Sequence, residues 1–512
     1  MDFDKKIAFV IFGFFLIFFV LSSDGHRYTI DEDMAAQQSK RIVTQQIPLE
    51  FVPGETHLYY DYPYFKNPKT APICYDGILC SGTPIGYSLT QIPFISLNYI
   101  FQFVNDDTIV WSTDDFSDTH YVFWRNSLDS DFTFLELFYG PFFSSLIICI
   151  FYLTCRSFNF QIKSSILVSG ILAFSTLIWA YSQTSLNVVP LTFFMLLGFF
   201  FIKKFLNSHN VSALLFSGLS LGFGFLVRND AILFIFPLSA LLVWYVIKKK
   251  QIKKIIPYFS SIFGFYLIYL AVNYLRFHVS PFITTEKSVG YLSNIGSGST
   301  PVGEGLFGLL FSPGVGLFIF VPIILTIFFS FPNFFKQHKL ECISIVSIFI
   351  FILIYYSTSI SWHGLVSWGP RYLYSIIPFL ILPLAAAIEN KNFSIKIASI
   401  ILAGIGFFFN LVYIVNDIHW FVWGQINHSG LFGIDRQIDG IKDHLNIDPT
   451  IIWTFQYSQL THSIDLFFNN TQFDLFFLKL FGNEIFILSV IGIFVIFFVV
   501  LRFLFFNKKI PQ

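Results

Sequence analysis

The chain has 512 residues, of which 55% are hydrophobic and only 12% charged, with a mean hydropathy of +0.67. Soluble domains carry about 25% charged residues, so a soluble globular protein is excluded and an all-α polytopic membrane protein is expected. Basic and acidic residues balance at 31 each, and nothing points to nucleic acid as a partner.

A helix that crosses the hydrocarbon core needs about 20 mostly apolar residues, and about twelve segments approach that condition. The first, 7–21, follows Lys5 and Lys6 and has no small-residue cleavage site after it, so a retained anchor is expected rather than a signal peptide. The others fall at 135–154, 166–181, 188–202, 211–227, 231–247, 256–275, 313–331, 342–356, 375–387, 397–415 and 485–506. With the N-terminus inside and the spans alternating, the inner segments hold eighteen of the 31 basic residues. Only four acids join them, Asp2, Asp4, Glu341 and Glu389. Lys and Arg gather on the cytoplasmic side, so both termini are expected there.

Three outer segments are long: 22–134, 276–312 and 416–484. A transmembrane core over 1–415, a last outer loop over 416–484 and a final span with its tail over 485–512 are therefore expected. Within the first loop, 84–104 is apolar but broken by polar residues and Pro93. It suits a helix lying in the interface or a buried piece of a small ectodomain. Cys74 and Cys80 lie in a polar part of this loop, as a local disulfide or as two free thiols. Cys149, Cys155 and Cys342 fall in or beside apolar spans and read as inert core residues. Sequons begin at Asn427 and Asn469 on the expected outer side.

Four stretches can carry chemistry. In the first, His26-Arg-Tyr-Thr-Ile-Asp-Glu-Asp-Met34, three acids stand together just beyond the first span. Asp31 can cap a following helix. A carboxylate at the low-dielectric membrane edge can also have its pKa raised and serve as a general base. The second is Leu-Val-Arg-Asn-Asp, in which Arg228 ends a span and either snorkels to headgroups or holds a phosphate. The third runs from Ser361 to Tyr374, SWHGLVSWGPRYLY. Trp362 and Trp368 suit the aromatic belt; Arg371 after a Gly–Pro turn suits a phosphate fork; His363 offers a second donor or a proton. The fourth, Gly308–Pro322, starts a span with a Ser-Pro-Gly turn. It lacks the GxxxxGK[ST] pattern, and the chain has no HExxH, paired CxxC or GxSxG. Neither a resident metal nor a cofactor is expected.

The first span followed by Tyr28-Thr-Ile-Asp31-Glu32 resembles the GT-C membrane glycosyltransferases. The long first outer loop, the spacing of Gly218, Gly222 and Arg228, and the Ser-Pro-Gly and Trp-Gly-Pro-Arg-Tyr runs extend the resemblance over most of the chain. Within that superfamily the chain is most similar to the protein-mannosyltransferase and aminoarabinose-transferase-like branch, including the rhizobial lipopolysaccharide type. The resemblance implies an inverting transfer of sugar from a polyprenyl-phosphate donor to a protein or glycan acceptor at the outer face of the cell membrane. Asp31 would be the catalytic base and Glu32 the second acid of the pair, with Arg228, Arg371 and His363 on the donor phosphate. A loop at Gly296–Gly305 would close over the donor. One departure stands out: related chains often carry an acid between the third and fourth spans, where this one reads Tyr181-Ser-Gln-Thr-Ser-Leu-Asn187. The alternatives are a lipid-linked glycan transporter, whose charges would sit within the spans, and a catalytically inactive partner of the same superfamily.

Overall fold

The computed structural model describes residues 2–25, 29–44, 83–101, 133–277, 300–359, 362–364, 367–389, 393–416, 449–469 and 473–506. Tyr28, Cys74, Cys80, residues 296–299 of the 296–305 loop and the Asn427 sequon lie outside them, and of the Asn469 sequon only Asn469 is described.

Every regular element among the described residues is helical. Helix α1 (Asp2–Leu21) leads to α2 (Ile30–Val43), and α3 (Ile85–Phe101) precedes α4 (Thr133–Ser157). Then come α5 (Ile162–Phe174), the single turn α6 (Leu177–Tyr181), α7 (Val188–Ser208), α8 (Val211–Val227), α9 (Ile232–Lys248) and α10 (Ile256–Phe277). Two short helices, α11 (Val302–Phe311) and α12 (Leu317–Phe320), precede α13 (Ile327–Gln337) and α14 (Lys339–Ser357). The chain continues through α15 (Ile377–Glu389) and α16 (Phe393–Ile414) to α17 (Pro449–Trp453), α18 (Gln459–Asn469) and α19 (Phe476–Phe506). Among the described residues 8 helices are long and apolar enough to cross a membrane, and three further apolar helices, α5, α8 and α11, are shorter.

Two expected spans are not single helices. The segment 166–181 breaks at Ser175, and α6 restarts on an extended Thr176 whose hydroxyl accepts the Ile178 N–H at 3.4 Å. The segment 313–331 is divided among a turn, α12, a 3₁₀ stretch Pro322–Thr326 and the start of α13. Proline removes a backbone donor and forces the residue before it out of the helical region; Val321, just before Pro322, has φ −129° and ψ 65°. The Ser-Pro-Gly turn is clamped from outside. Gly314 donates its N–H to Ile452 O at 3.0 Å, and its carbonyl accepts from Gln459 Nε2 at 2.7 Å. Helix α3 keeps Pro93 within it and packs between α2 and its neighbours, with Tyr87, Ser88, Gln91 and Ile95 fully buried.

The glycines of the Gly218–Gly222 pattern are a packing device. A Cβ on Gly218 would sit 2.4 Å from the Tyr258 carbonyl, and one on Gly222 2.6 Å from the Phe265 ring. Small residues at this spacing let α8 and α10 approach closely, the usual means of helix association where lipid supplies no hydrophobic drive.

The bundle has two distinct ends. At one, Asp4 pairs with Arg156 (2.9 Å), Glu341 with Lys203 (2.5 Å), and Glu389 accepts the Gln161 N–H (2.6 Å). Three of the four acids expected on the inner side therefore have donors of that same end. The other end gathers Ser22–Gly25, Thr29–Glu32, the turn after α6, the α8–α9 junction and the described residues between α14 and α15.

Candidate active site

Helix α2 brings the first two acids into place, and it gives them different surroundings. Its N-cap is Thr29 rather than Asp31. Thr29, at φ −128° and ψ 153°, accepts the Glu32 N–H through its hydroxyl at 3.3 Å and donates its own N–H to Glu32 Oε2 at 2.9 Å. This reciprocal capping box satisfies two otherwise orphaned donors. It occupies Glu32 and leaves the Asp31 carboxyl, in the first turn, directed elsewhere. Asp31 Oδ2 lies 3.9 Å from Arg371 Nη1, with both side chains partly accessible at 19% and 13%.

Glu32 is fully enclosed. Its second oxygen, Oε1, accepts the Ser185 N–H at 2.6 Å and the Ser185 hydroxyl at 3.2 Å. Ser185 lies in the turn Tyr181–Asn187, which carries no acid of its own. That turn touches every part of the site. Gln183 Nε2 donates to the carbonyls of Ser22 (2.8 Å) and Ile414 (3.0 Å); the Tyr87 hydroxyl donates to Ser185 O at 2.5 Å; the Tyr181 hydroxyl donates to Trp368 O at 3.1 Å. Buried polar groups need partners, and here those partners fix the relative positions of α1, α2, α3 and α16.

The Trp-Gly-Pro-Arg-Tyr run turns at Gly369, whose φ of 62° favours glycine. A 3₁₀ stretch, Arg371–Ile376, begins directly after Pro370. Neither tryptophan of this region lies in the exposed aromatic belt that the sequence led us to expect. Trp368 is buried between Phe320 (centroids 4.8 Å apart, 85°) and Tyr413 (4.8 Å, 30°), and Trp362 is likewise buried. The turn is thus anchored on the core, which makes Arg371 a rigidly based cation. His363, beside Trp362, is 6% exposed. Burial, helped by the Arg371 charge, pushes its imidazole down to about 3. It is a neutral group across the physiological range.

Arg228 ends α8 and is braced on several sides. Its Nε lies 2.9 Å from both Asp230 oxygens, Nη1 donates to Asn187 Oδ1 at 2.9 Å, and Nη2 donates to the Tyr356 hydroxyl at 2.8 Å. The Tyr356 hydroxyl in turn donates to Asp230 Oδ2. Tyr356 and Tyr372 are stacked, with centroids 4.2 Å apart and planes 8° from parallel. Both arginines border this stack: Arg228 Cζ is 5.8 Å and Arg371 Cζ 5.2 Å from the Tyr372 centroid. Asp31, Arg371, Tyr372 and Arg228 thus form a chain of neighbours drawn from three separate segments. Sequence reasoning singled out three of these but not Tyr372, although it directly follows Arg371. Tyr356, at the end of an apolar span, carried no signal.

Residues 142–273 match the family model described as dolichyl-phosphate-mannose-protein mannosyltransferase. No curated protein matches the chain. Among solved structures, ArnT from Cupriavidus metallidurans bound to undecaprenyl phosphate is similar over 90% of this chain and 76% of that one, at 12% identity and a TM-score of 0.49. The family match covers about a quarter of the chain and takes in α5 to α9.

Proposed function

We propose that the protein transfers a sugar from a polyprenyl-phosphate carrier to a hydroxyl of a protein or glycan acceptor, with inversion, at the extracytoplasmic face of the cell membrane. Asp31 takes the proton of the acceptor hydroxyl. The hydroxyl oxygen bonds to the anomeric carbon, and the bond from that carbon to the phosphate oxygen breaks, with its electron pair leaving on the phosphate. Arg371 faces the charge that develops there, and neutral His363 supplies a further hydrogen-bonding group nearby.

The observation that carries this reading is the 3.9 Å approach of Asp31 to Arg371. Both side chains stay partly accessible, Asp31 at 19% and Arg371 at 13%, so substrate groups can approach them. Protonation of Asp31 during attack would also remove a negative charge facing Arg371 as the phosphate departs. Glu32, enclosed and fully engaged with Thr29 and Ser185, acts on the reaction through the position of Asp31. The lysine-rich end of the bundle suits the cytoplasmic side, which supports an extracytoplasmic site.

Loss of a general base typically costs about 10²–10⁴-fold in rate. Asp31→Asn is expected to lose transfer by that order in membranes containing polyprenyl-phosphate sugar, while the protein keeps its thermal midpoint. Full activity in Asp31→Asn removes Asp31 from the mechanism. Binding of the donor without turnover by the unaltered protein would instead favour an inactive partner.

A further inference from the structure

The connection from α9 to α10, at the lysine-rich end of the bundle, carries a dense run of like charge. Lys248, Lys249, Lys250, Lys253 and Lys254 follow one another almost directly, and no acid occurs between Asp230 and Glu286. The first four are exposed and Lys254 is half-buried. Among the described residues the ion pairs engage other cations, and none of these five lysines is paired with a carboxylate. A charge run of this kind is ordinarily a solvated surface. Its backbone and its surroundings set this one apart.

Helix α9 closes with two characteristic bonds: Lys250 donates its N–H to Ile247 O at 3.0 Å, and Gln251 donates its N–H to Val246 O at 2.8 Å. Such a closure needs a left-handed residue at the turn, and glycine usually fills that place. Here Lys250 takes it, with φ 55°, although its Cβ makes the conformation unfavourable. A strained residue that also carries charge points to a use for the charge. Directly after the turn, the 3₁₀ stretch Ile252–Ile255 brings in Lys253 and Lys254.

The surroundings are apolar. Trp244, Ile247, Ile252 and Ile256 are all exposed, and Lys248 Nζ lies 4.8 Å from the Trp244 ring. In a bilayer these side chains meet acyl chains, while lysine amines on long stems reach the headgroups. An unpaired cationic cluster framed by apolar side chains, at the end of two lipid-facing helices, matches a molecule with both a phosphate and acyl chains. We infer that Lys248, Lys249, Lys250, Lys253 and Lys254 form a binding site for anionic phospholipid headgroups. The site steadies α10, which rests on α8 at Gly218 and Gly222 and exposes Phe263, Leu267 and Leu275 elsewhere.

The full-length protein in an uncharged maltoside detergent, titrated with phosphatidylglycerol and separately with phosphatidylcholine, tests the inference through its thermal midpoint. Phosphatidylglycerol is expected to raise the midpoint and phosphatidylcholine to leave it unchanged. Combined Lys253→Gln and Lys254→Gln should weaken the phosphatidylglycerol response by roughly fivefold for each lysine removed. Combined Lys336→Gln and Lys339→Gln, on exposed lysines of the same end, should leave it as in wild type. Lys250→Gly is expected to move two readouts in opposite directions: a higher midpoint in detergent alone, as the left-handed strain is relieved, and a weaker response to phosphatidylglycerol. An undiminished response in the Lys253/Lys254 variant overturns the inference. So does an equal loss in the Lys336/Lys339 variant, which would reduce the site to general charge. Equal stabilisation of the wild-type protein by soluble polyglutamate also overturns it, because the partner would then be an acidic polypeptide rather than a lipid.

Discussion

Glu32 and Ser185, 153 residues apart in the chain, are joined by two hydrogen bonds onto a single carboxylate oxygen, at 2.6 Å from the Ser185 amide and 3.2 Å from its hydroxyl. The other oxygen closes the α2 capping box. One buried carboxylate thereby fastens the helix that carries Asp31 to the turn that touches α1, α3, α16 and Arg228. The turn lacks an acid in its own sequence and receives one in space.

Glu32→Gln tests that fastening. The substitution keeps the volume but replaces one accepting oxygen by a donating NH₂ group, which must face either the Ser185 N–H or the Thr29 N–H. A buried donor left without an acceptor costs about 1–3 kcal/mol. The thermal midpoint in detergent is expected to fall, and sugar transfer to fall by roughly tenfold as Asp31 loses its placement. Ser185→Ala removes only the longer bond and is expected to do less on both measures. Equal effects of the two substitutions would contradict a role centred on the backbone amide.

His363 gives a prediction in pH. Its imidazole titrates at about 3 when folded, against an ordinary 6.5, because burial and then the Arg371 charge disfavour the proton. Below pH 6.5 the unfolded chain takes up a proton that the folded one refuses. The stability this group contributes is therefore fully present above pH 6.5 and is lost progressively as pH falls toward 3. Between pH 6.5 and 5 the loss is about 2 kcal/mol. Thermal midpoints measured at pH 7 and pH 5 are expected to drop further for the wild-type protein than for His363→Gln, which has no such proton to refuse. Identical drops would show that His363 is not held neutral.

The sequence revealed the class of the fold through composition alone, and the two-ended charge arrangement through Lys5, Arg156, Lys203 and their neighbours. It also drew attention to Asp31, Arg371 and Arg228, because charged residues at span ends are few. Two things were not legible. Helix breaks at Ser175 and Pro322 depend on capping and local backbone geometry that an apolar run conceals. Partnerships were hidden as well: Glu32 was expected as the second acid beside Asp31, while in the fold Thr29 and Ser185 take up its oxygens, and Arg228 was expected on the phosphate with Arg371, while Asp230, Asn187 and Tyr356 surround it. Ser185, Asn187 and Tyr356 are brought in from distant segments, and no local pattern encodes them. The tryptophans show the same limit in reverse. Their placement between charged and apolar stretches suggested an interfacial belt, while the core packing of Phe320 and Tyr413 buries Trp368.

The opposite end of the bundle supplies a prediction that should leave the site untouched. Lys203 Nζ and Glu341 Oε1 are 2.5 Å apart with side chains only 8% and 9% exposed, and Lys203 also lies 4.2 Å from the Phe158 centroid. Removing one member of a buried ion pair strands the other charge at a cost of about 3–5 kcal/mol, whereas replacing both by apolar residues of similar volume is often neutral or stabilising. Lys203→Met alone is therefore expected to lower the thermal midpoint sharply. Combining it with Glu341→Leu should restore the midpoint to near or above the wild-type value. Because neither residue contacts the Asp31 end, the double variant is expected to keep wild-type sugar transfer. A double variant as unstable as Lys203→Met would show that Glu341 has a role in the fold beyond answering Lys203. A stable double variant with impaired transfer would show that the two ends of the bundle are coupled.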